Sequence, residues 1–161
     1  MKYFTDEMWD GINNRFGSDD EIKYNNVWTE NMIKYNKIFE SISYRLDKRT
    51  YTYFKLKGFH DFKITNIEIL HNECGKKPIV KINLYVTNKI NKYKISFTKI
   101  INFEIKTSEN INTHWGLDDW GYEEILPVDD KILSFEVLLA SGSTIYIQFP
   151  NKSLKILKIK N

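Results

Sequence analysis

One cysteine, three prolines and seven glycines are all that 161 residues contain of these types. The lone thiol, Cys74, excludes an internal disulfide and fits a reducing compartment, so the expected location is the cytoplasm. No apolar run approaches the roughly 20 residues of a membrane helix, and no membrane association is expected. The opening MKYFTDEMWD carries acids and no long apolar core, which argues against a signal peptide. No repeat or low-complexity segment interrupts the chain. Glycine-rich phosphate loops, H-E-x-x-H, G-x-S-x-G and paired C-x-x-C are absent too, so no cofactor, resident metal or familiar nucleophile is expected.

What is present suffices for a core. Hydrophobic residues make up 42% of the chain, aromatics 15% and charged residues 28%, the balance of an ordinary folded domain. Net charge is +3 but is unevenly spread. Residues 1–50 stand at −1, residues 51–107 at +7, with 11 Lys against 4 acids, and residues 108–161 at −3. Nucleic acid would be attracted to such a middle. Because many of its lysines fall on outward strand positions, it is read instead as a solvated face, and nucleic acid is not the expected partner.

Periodicity divides the chain in two. Thr5 is a cap for a first short helix, with Asp6 and Glu7 at its positive end and Gly11 and Gly17 limiting it. Ser18-Asp19-Asp20-Glu21 forms a capping box. Beyond it, Trp28, Met32, Tyr35, Phe39, Ile42 and Leu46 recur at spacings of 4, 3, 4, 3 and 4, one stripe along a helix face. Asn25 and Asn26 leave open whether residues 18–47 make one helix or two. From Tyr51 the period becomes two. Phe62 and Ile64 alternate, then Ile67 and Ile69 on the other phase, which indicates a β-bulge. Alternation returns in Val80–Val86, Tyr93–Phe97, Ile101–Ile105 and Leu154–Ile159. The clearest case is KILSFEVLLASGSTIYIQF, two alternating runs around Ser141-Gly142-Ser143, a hairpin signature. The expectation is an α+β fold: a helical region, 1–50, packed on an antiparallel β region, 51–161, as one compact unit. The sheet would form a sandwich or a partly open barrel.

Three stretches carry candidate chemistry. His60-Asp61 could hold a metal, but such a pair needs further ligands on helices, and here it heads a β pattern. The structural reading, satisfying backbone groups at a strand entrance, is preferred. His71, Glu73 and Cys74 are suitable zinc ligands by type, yet no second pair completes a four-coordinate set. The third stretch, HWGLDDWGYEEILPVDD, gathers two Trp, one Tyr and six acids in residues 114–130. Its carboxylates suggest an acid/base pair, its aromatics a sugar platform or an interface facing a basic protein. The plain alternative is a loop that anchors its tryptophans in the core.

The opening MKYFTDEMW, the helical middle with spaced aromatics, FHDFKITNIEI, Trp120-Gly121-Tyr122-Glu123-Glu124 and SFEVLLASGSTIYIQF resemble the DUF4085 proteins, a bacterial family of unknown function. The resemblance spans most of the chain and implies no catalytic residues. The expected function is that of a non-enzymatic protein-binding module, immunity-like by analogy with small bacterial proteins that neutralise toxins. Its surface would comprise Trp115, Asp118, Asp119, Trp120, Tyr122, Glu123 and Glu124. The competing expectation is a small-ligand-binding protein or hydrolase using His60, Asp61, His114 and nearby carboxylates. Neither partner nor oligomeric state can be read from these residues.

Overall fold

The structure is a computed structural model that describes residues 1–13, 19–72, 79–107, 117 and 119–159. Among them, three α-helices precede eight strands in an α+β arrangement. Helix α1 covers Asp6–Asn13, α2 Asp19–Ser41 and α3 Lys48–Leu56, with a 3₁₀ turn at Ser43–Arg45. Thr5 opens α1 as expected. Its hydroxyl accepts from Met8 N at 3.4 Å and its carbonyl from Trp9 N at 3.0 Å. Gly11 does not limit that helix but lies inside it, because a Cβ there would overlap the ring of Tyr24 on α2. It is a contact glycine. Gly17 and the Ser18 cap lie outside the described residues.

Asn25 and Asn26 do not break α2. A polar residue there costs little on a solvent-facing stretch, and the Thr29 hydroxyl bonds back to Asn25 O at 2.9 Å. The stripe sinks progressively inward: Trp28 and Tyr35 are half-buried, while Phe39, Ile42 and Leu46 are fully inside.

The helical region runs further than 1–50. Lys48–Leu56 is helix, although Thr50-Tyr51-Thr52-Tyr53-Phe54 has the composition of a strand. The Asp47 side chain accepts from Thr50 N at 3.1 Å, an N-cap that outweighs the local propensity. Tyr51, Tyr53 and Phe54 then pack on the core.

Strands β1 (Lys63–Asn72), β2 (Ile79–Thr87), β3 (Lys92–Thr98) and β8 (Leu154–Ile159) form one antiparallel sheet in the order β1-β2-β3-β8. Strands β4 (Asn102–Lys106), β5 (Trp120–Pro127), β6 (Ile132–Leu139) and β7 (Thr144–Pro150) form a second, in the order β4-β7-β6-β5. The inferred bulge falls between Ile64 and Asn66. The β6–β7 hairpin turns at Ser141–Ser143 with Gly142 at φ 79°, and Leu139 N donates to Ser143 O at 2.9 Å. No barrel closes. The two sheets bury their apolar faces against each other, Phe97 meeting Phe135 at 5.1 Å and Phe149 at 5.3 Å between ring centres. Ile82, Leu84, Ile95, Leu133, Val137 and Ile147 fill the same layer with no exposed surface.

Helix α2 covers the open edge of β5, and the Ile125 N–H donates to the Tyr35 hydroxyl at 3.0 Å. A buried Arg45 rivets the 3₁₀ turn to the sandwich, donating to Asn151 Oδ1 at 2.7 Å and Ile132 O at 2.9 Å. The recess described next lies where α2 and α3 meet that covered edge.

Candidate functional site

A bulge governs the chemistry of β5. In a regular strand residues i and i+3 point to opposite faces. The register shift between Trp120 and Tyr122 places one residue too many on this strand, so Trp120 and Glu123 share the inner face. The Trp120 indole N–H donates to Glu123 Oε2 at 2.6 Å, and Phe59 N donates to Oε1 at 3.3 Å. Glu123 lines the recess. Crowding by protein desolvates its carboxyl and pushes the pKa up to about 7, although the two hydrogen bonds and the charge of His60 pull the other way.

The turn before β1 supplies the opposite wall. Asp61 N donates to Trp120 O at 3.1 Å and Trp120 N to Phe62 O at 2.8 Å, zipping residues 59–62 alongside the start of β5. His60 Nδ1 lies 2.7 Å from Gly121 O. A carbonyl only accepts, so Nδ1 carries the proton. The imidazole stacks on Tyr122 at 5.1 Å with 6° between planes, and its Nε2 lies 3.6 Å from Asp61 Oδ1. Asp61 holds φ at 64°, a left-handed conformation that Asp tolerates better than most residues. Burial, reinforced by the nearby Asp61 charge, raises the Tyr122 hydroxyl pKa. Gly58 is required where the chain leaves α3: its φ is 63°, and a Cβ there would sit 2.5 Å from Glu123 Oε1.

These groups line a recess of about 350 Å³ walled by Trp28, Tyr35, Phe54 and Tyr122. Trp28 and Tyr122 pack at 4.5 Å between ring centres, with Phe4 4.6 Å from Trp28. Glu123 and His60 are its acid/base groups, and Lys55 and Lys57 stand at its rim. Lys55 is engaged by Glu40 at 2.8 Å.

The two stretches weighed separately in the sequence therefore meet. His60 and Asp61 adjoin Trp120, Gly121, Tyr122 and Glu123. Of the acidic–aromatic surface expected of residues 115–124, two members, Trp120 and Glu124, are interior. Trp120 has 1% of its surface exposed and Glu124 1%, so neither can touch a partner. The physical reason for Glu124 is explicit: its carboxylate accepts from Lys2 N at 2.8 Å, Tyr3 N at 2.6 Å and Phe4 N at 2.7 Å. It pins the first residues of the chain across β5. Asp119 pairs with Lys63 at 3.2 Å. Trp115, Asp118 and His114 lie outside the described residues, as do Glu73 and Cys74 of the zinc candidate. Asp129 serves a turn. It accepts from Lys131 N at 2.7 Å and Ile132 N at 2.8 Å, bonds that hold its pKa low.

Family models, curated proteins and solved structures offer no match to this chain.

The recess also draws in residues whose spacing marks them as core. Trp28 and Tyr35 belong to the core stripe by spacing, yet both border the recess. Gly58 had a signal, a lone glycine after an aromatic-rich run, but its meaning depended on recognising α3. Chemically, the recess offers one carboxyl poised near neutrality, one imidazole and aromatic walls. No Ser, Thr or Cys nucleophile lines it among the described residues. No group of three or more His, Cys, Asp or Glu suited to a metal occurs among them either.

Proposed function

We propose that this protein is a small-ligand-binding module and that its ligand is a compact amine with an apolar or aromatic body. The observation that supports the reading is Glu123, a carboxyl poised near neutrality at the base of an aromatic-walled recess. A bound ammonium would pair with the carboxylate and lie against ring faces, which attract cations. The half-exposed Tyr122 and His60 form the adjoining stacked wall. The volume matches the lower range of small-ligand pockets. Presentation of Trp120 and Glu124 to a protein partner is disfavoured by their burial. Kinship with DUF4085 proteins is part of the proposal and adds no chemistry to it.

Benzylamine is the probe. A carboxyl with a pKa of about 7 is roughly a tenth ionised at pH 6 and nine-tenths at pH 8, so affinity should rise about tenfold between them. Amide and indole NMR shifts should move at Trp28, Gly58 and Gly121. Glu123→Gln should abolish the pH dependence and weaken binding. Benzoate binding as well as benzylamine, or shifts confined to other surfaces, would overturn the proposal.

A further inference from the structure

The outer face of the β1-β2-β3-β8 sheet carries a second concavity, of about 820 Å³, chemically opposite to the first. Lys81, Lys94, Lys99 and Lys155 line it with Arg49 from the first turn of α3. Among the described residues, none of these five cations has a carboxylate within ion-pair distance. Lys94 instead lies over the Tyr85 ring at 5.5 Å. A sixth, Lys152, donates its ammonium to Leu46 O and is structural. Asp47 is the lining acid, and its carboxylate is spent capping α3. The neighbouring Glu68 is also engaged. Asn83 Nδ2 donates to it at 2.6 Å and Tyr85 OH at 3.1 Å, and these bonds with the charges of Lys94 and Lys81 hold its pKa low. The buried Asn83 completes a ladder by accepting from Ser96 at 2.7 Å. The acids beside these lysines are thus already hydrogen-bonded.

Register sets the positions of the charges. Lys81 pairs with Thr98, Ser96 with Lys155, and Lys94 with Leu157. Neighbouring positions on this face are roughly 5–7 Å apart, the scale of the phosphate repeat along an extended nucleic-acid strand. Ser96, Thr98 and Asn151 add hydrogen-bonding groups, and the exposed Leu157 adds an apolar contact. Lys99 and Lys152, at two turns bordering the groove, hold φ at 57° and 61°, where Gly or Asn would be less strained. A groove of this volume suits a short stretch of one strand, with about four phosphates in reach of its cations.

We infer that this groove binds single-stranded nucleic acid through its phosphates, independently of the Glu123 recess. The test is fluorescence anisotropy with labelled U12. With about four phosphate contacts on a single strand, affinity should fall about 50-fold between 50 and 200 mM salt. Lys94→Gln/Lys155→Gln should weaken binding at least tenfold at 50 mM and flatten the fall to about sevenfold. Lys94→Arg/Lys155→Arg should retain binding, as should Lys106→Gln, which alters an exposed lysine of the other sheet. Matched far-UV CD melting curves establish that the variants are folded. Absence of U12 binding at 50 mM salt, equal binding by the Gln variant, equal or tighter binding of a 12-base-pair duplex, or equal displacement by poly-L-glutamate would each overturn the inference.

Discussion

Replacing Glu123 by Gln should make the protein more stable at pH 8 and leave it nearly unchanged at pH 4.5. The carboxyl has an ordinary pKa of 4.5 and is pushed up to about 7 in the folded chain. Between these values the native state keeps a proton that the unfolded state releases. The unfolded chain therefore binds fewer protons, and stability falls as pH rises through the window. At about 1.4 kcal/mol per unit, the loss is about 3–4 kcal/mol and is nearly complete at pH 8. Gln carries no charge to desolvate. It must, however, turn its NH2 toward either the Trp120 indole N–H or the Phe59 N–H, both of which are donors. The protonated carboxyl carries the same mismatch through its O–H, so it cancels at pH 4.5 and the net gain at pH 8 is about 3 kcal/mol. Glu68 and Asp129, whose pKa values are lowered, have the opposite sign. Their stabilisation is present above the ordinary carboxylate pKa and is lost only as pH falls below it. Urea unfolding of both proteins at pH 4.5, 6, 7 and 8 isolates the Glu123 contribution as a difference. A stability difference independent of pH, or an NMR titration placing the Glu123 carboxyl near 4.5, would refute the reasoning.

Two further substitutions probe what surrounds that carboxyl. Glu124→Ala removes the acceptor for three backbone N–H groups and should cost about 3–4 kcal/mol, with hydrogen-exchange protection lost at Tyr3 and Phe4; Glu124→Gln, keeping the oxygen that serves both, should cost about half. Unchanged protection in Glu124→Ala would show that packing alone holds the segment. Gly58→Ala combines a left-handed backbone with a Cβ meeting Glu123 Oε1 and should cost about 2 kcal/mol. In a Glu123→Ala background the cost should drop to about 1 kcal/mol, so a double-mutant cycle without coupling would deny the contact.

The legible parts of this fold were those in which neighbours along the chain decide the outcome. Alternation in Leu133–Leu139 and Ile145–Phe149 requires two strands, each with one greasy face, and Gly142 allows the tight reversal between them. The phase slip in β1 was likewise visible, because a bulge shows as a change of parity among side chains of one kind. The corresponding slip in β5 was hidden. Its bulge falls among Trp120, Gly121 and Tyr122, where no run of aliphatics marks which parity is inward. Helix α3 was hidden for a related reason: its threonines and tyrosines favour strands locally, and one capping aspartate with a core to cover tipped the balance.

Composition and periodicity by themselves determined an α+β chain with antiparallel ribbons and a helical cover, since burial of each apolar face is a local demand on spacing. Tertiary structure alone decided which of two adjacent glutamates anchors the first residues of the chain and which faces a recess. It also decided that His60, distant in sequence, stacks on Tyr122. The physical reason is that a carboxyl's role depends on what desolvates it and what donates to it, and both come from segments that meet only when the sheets close.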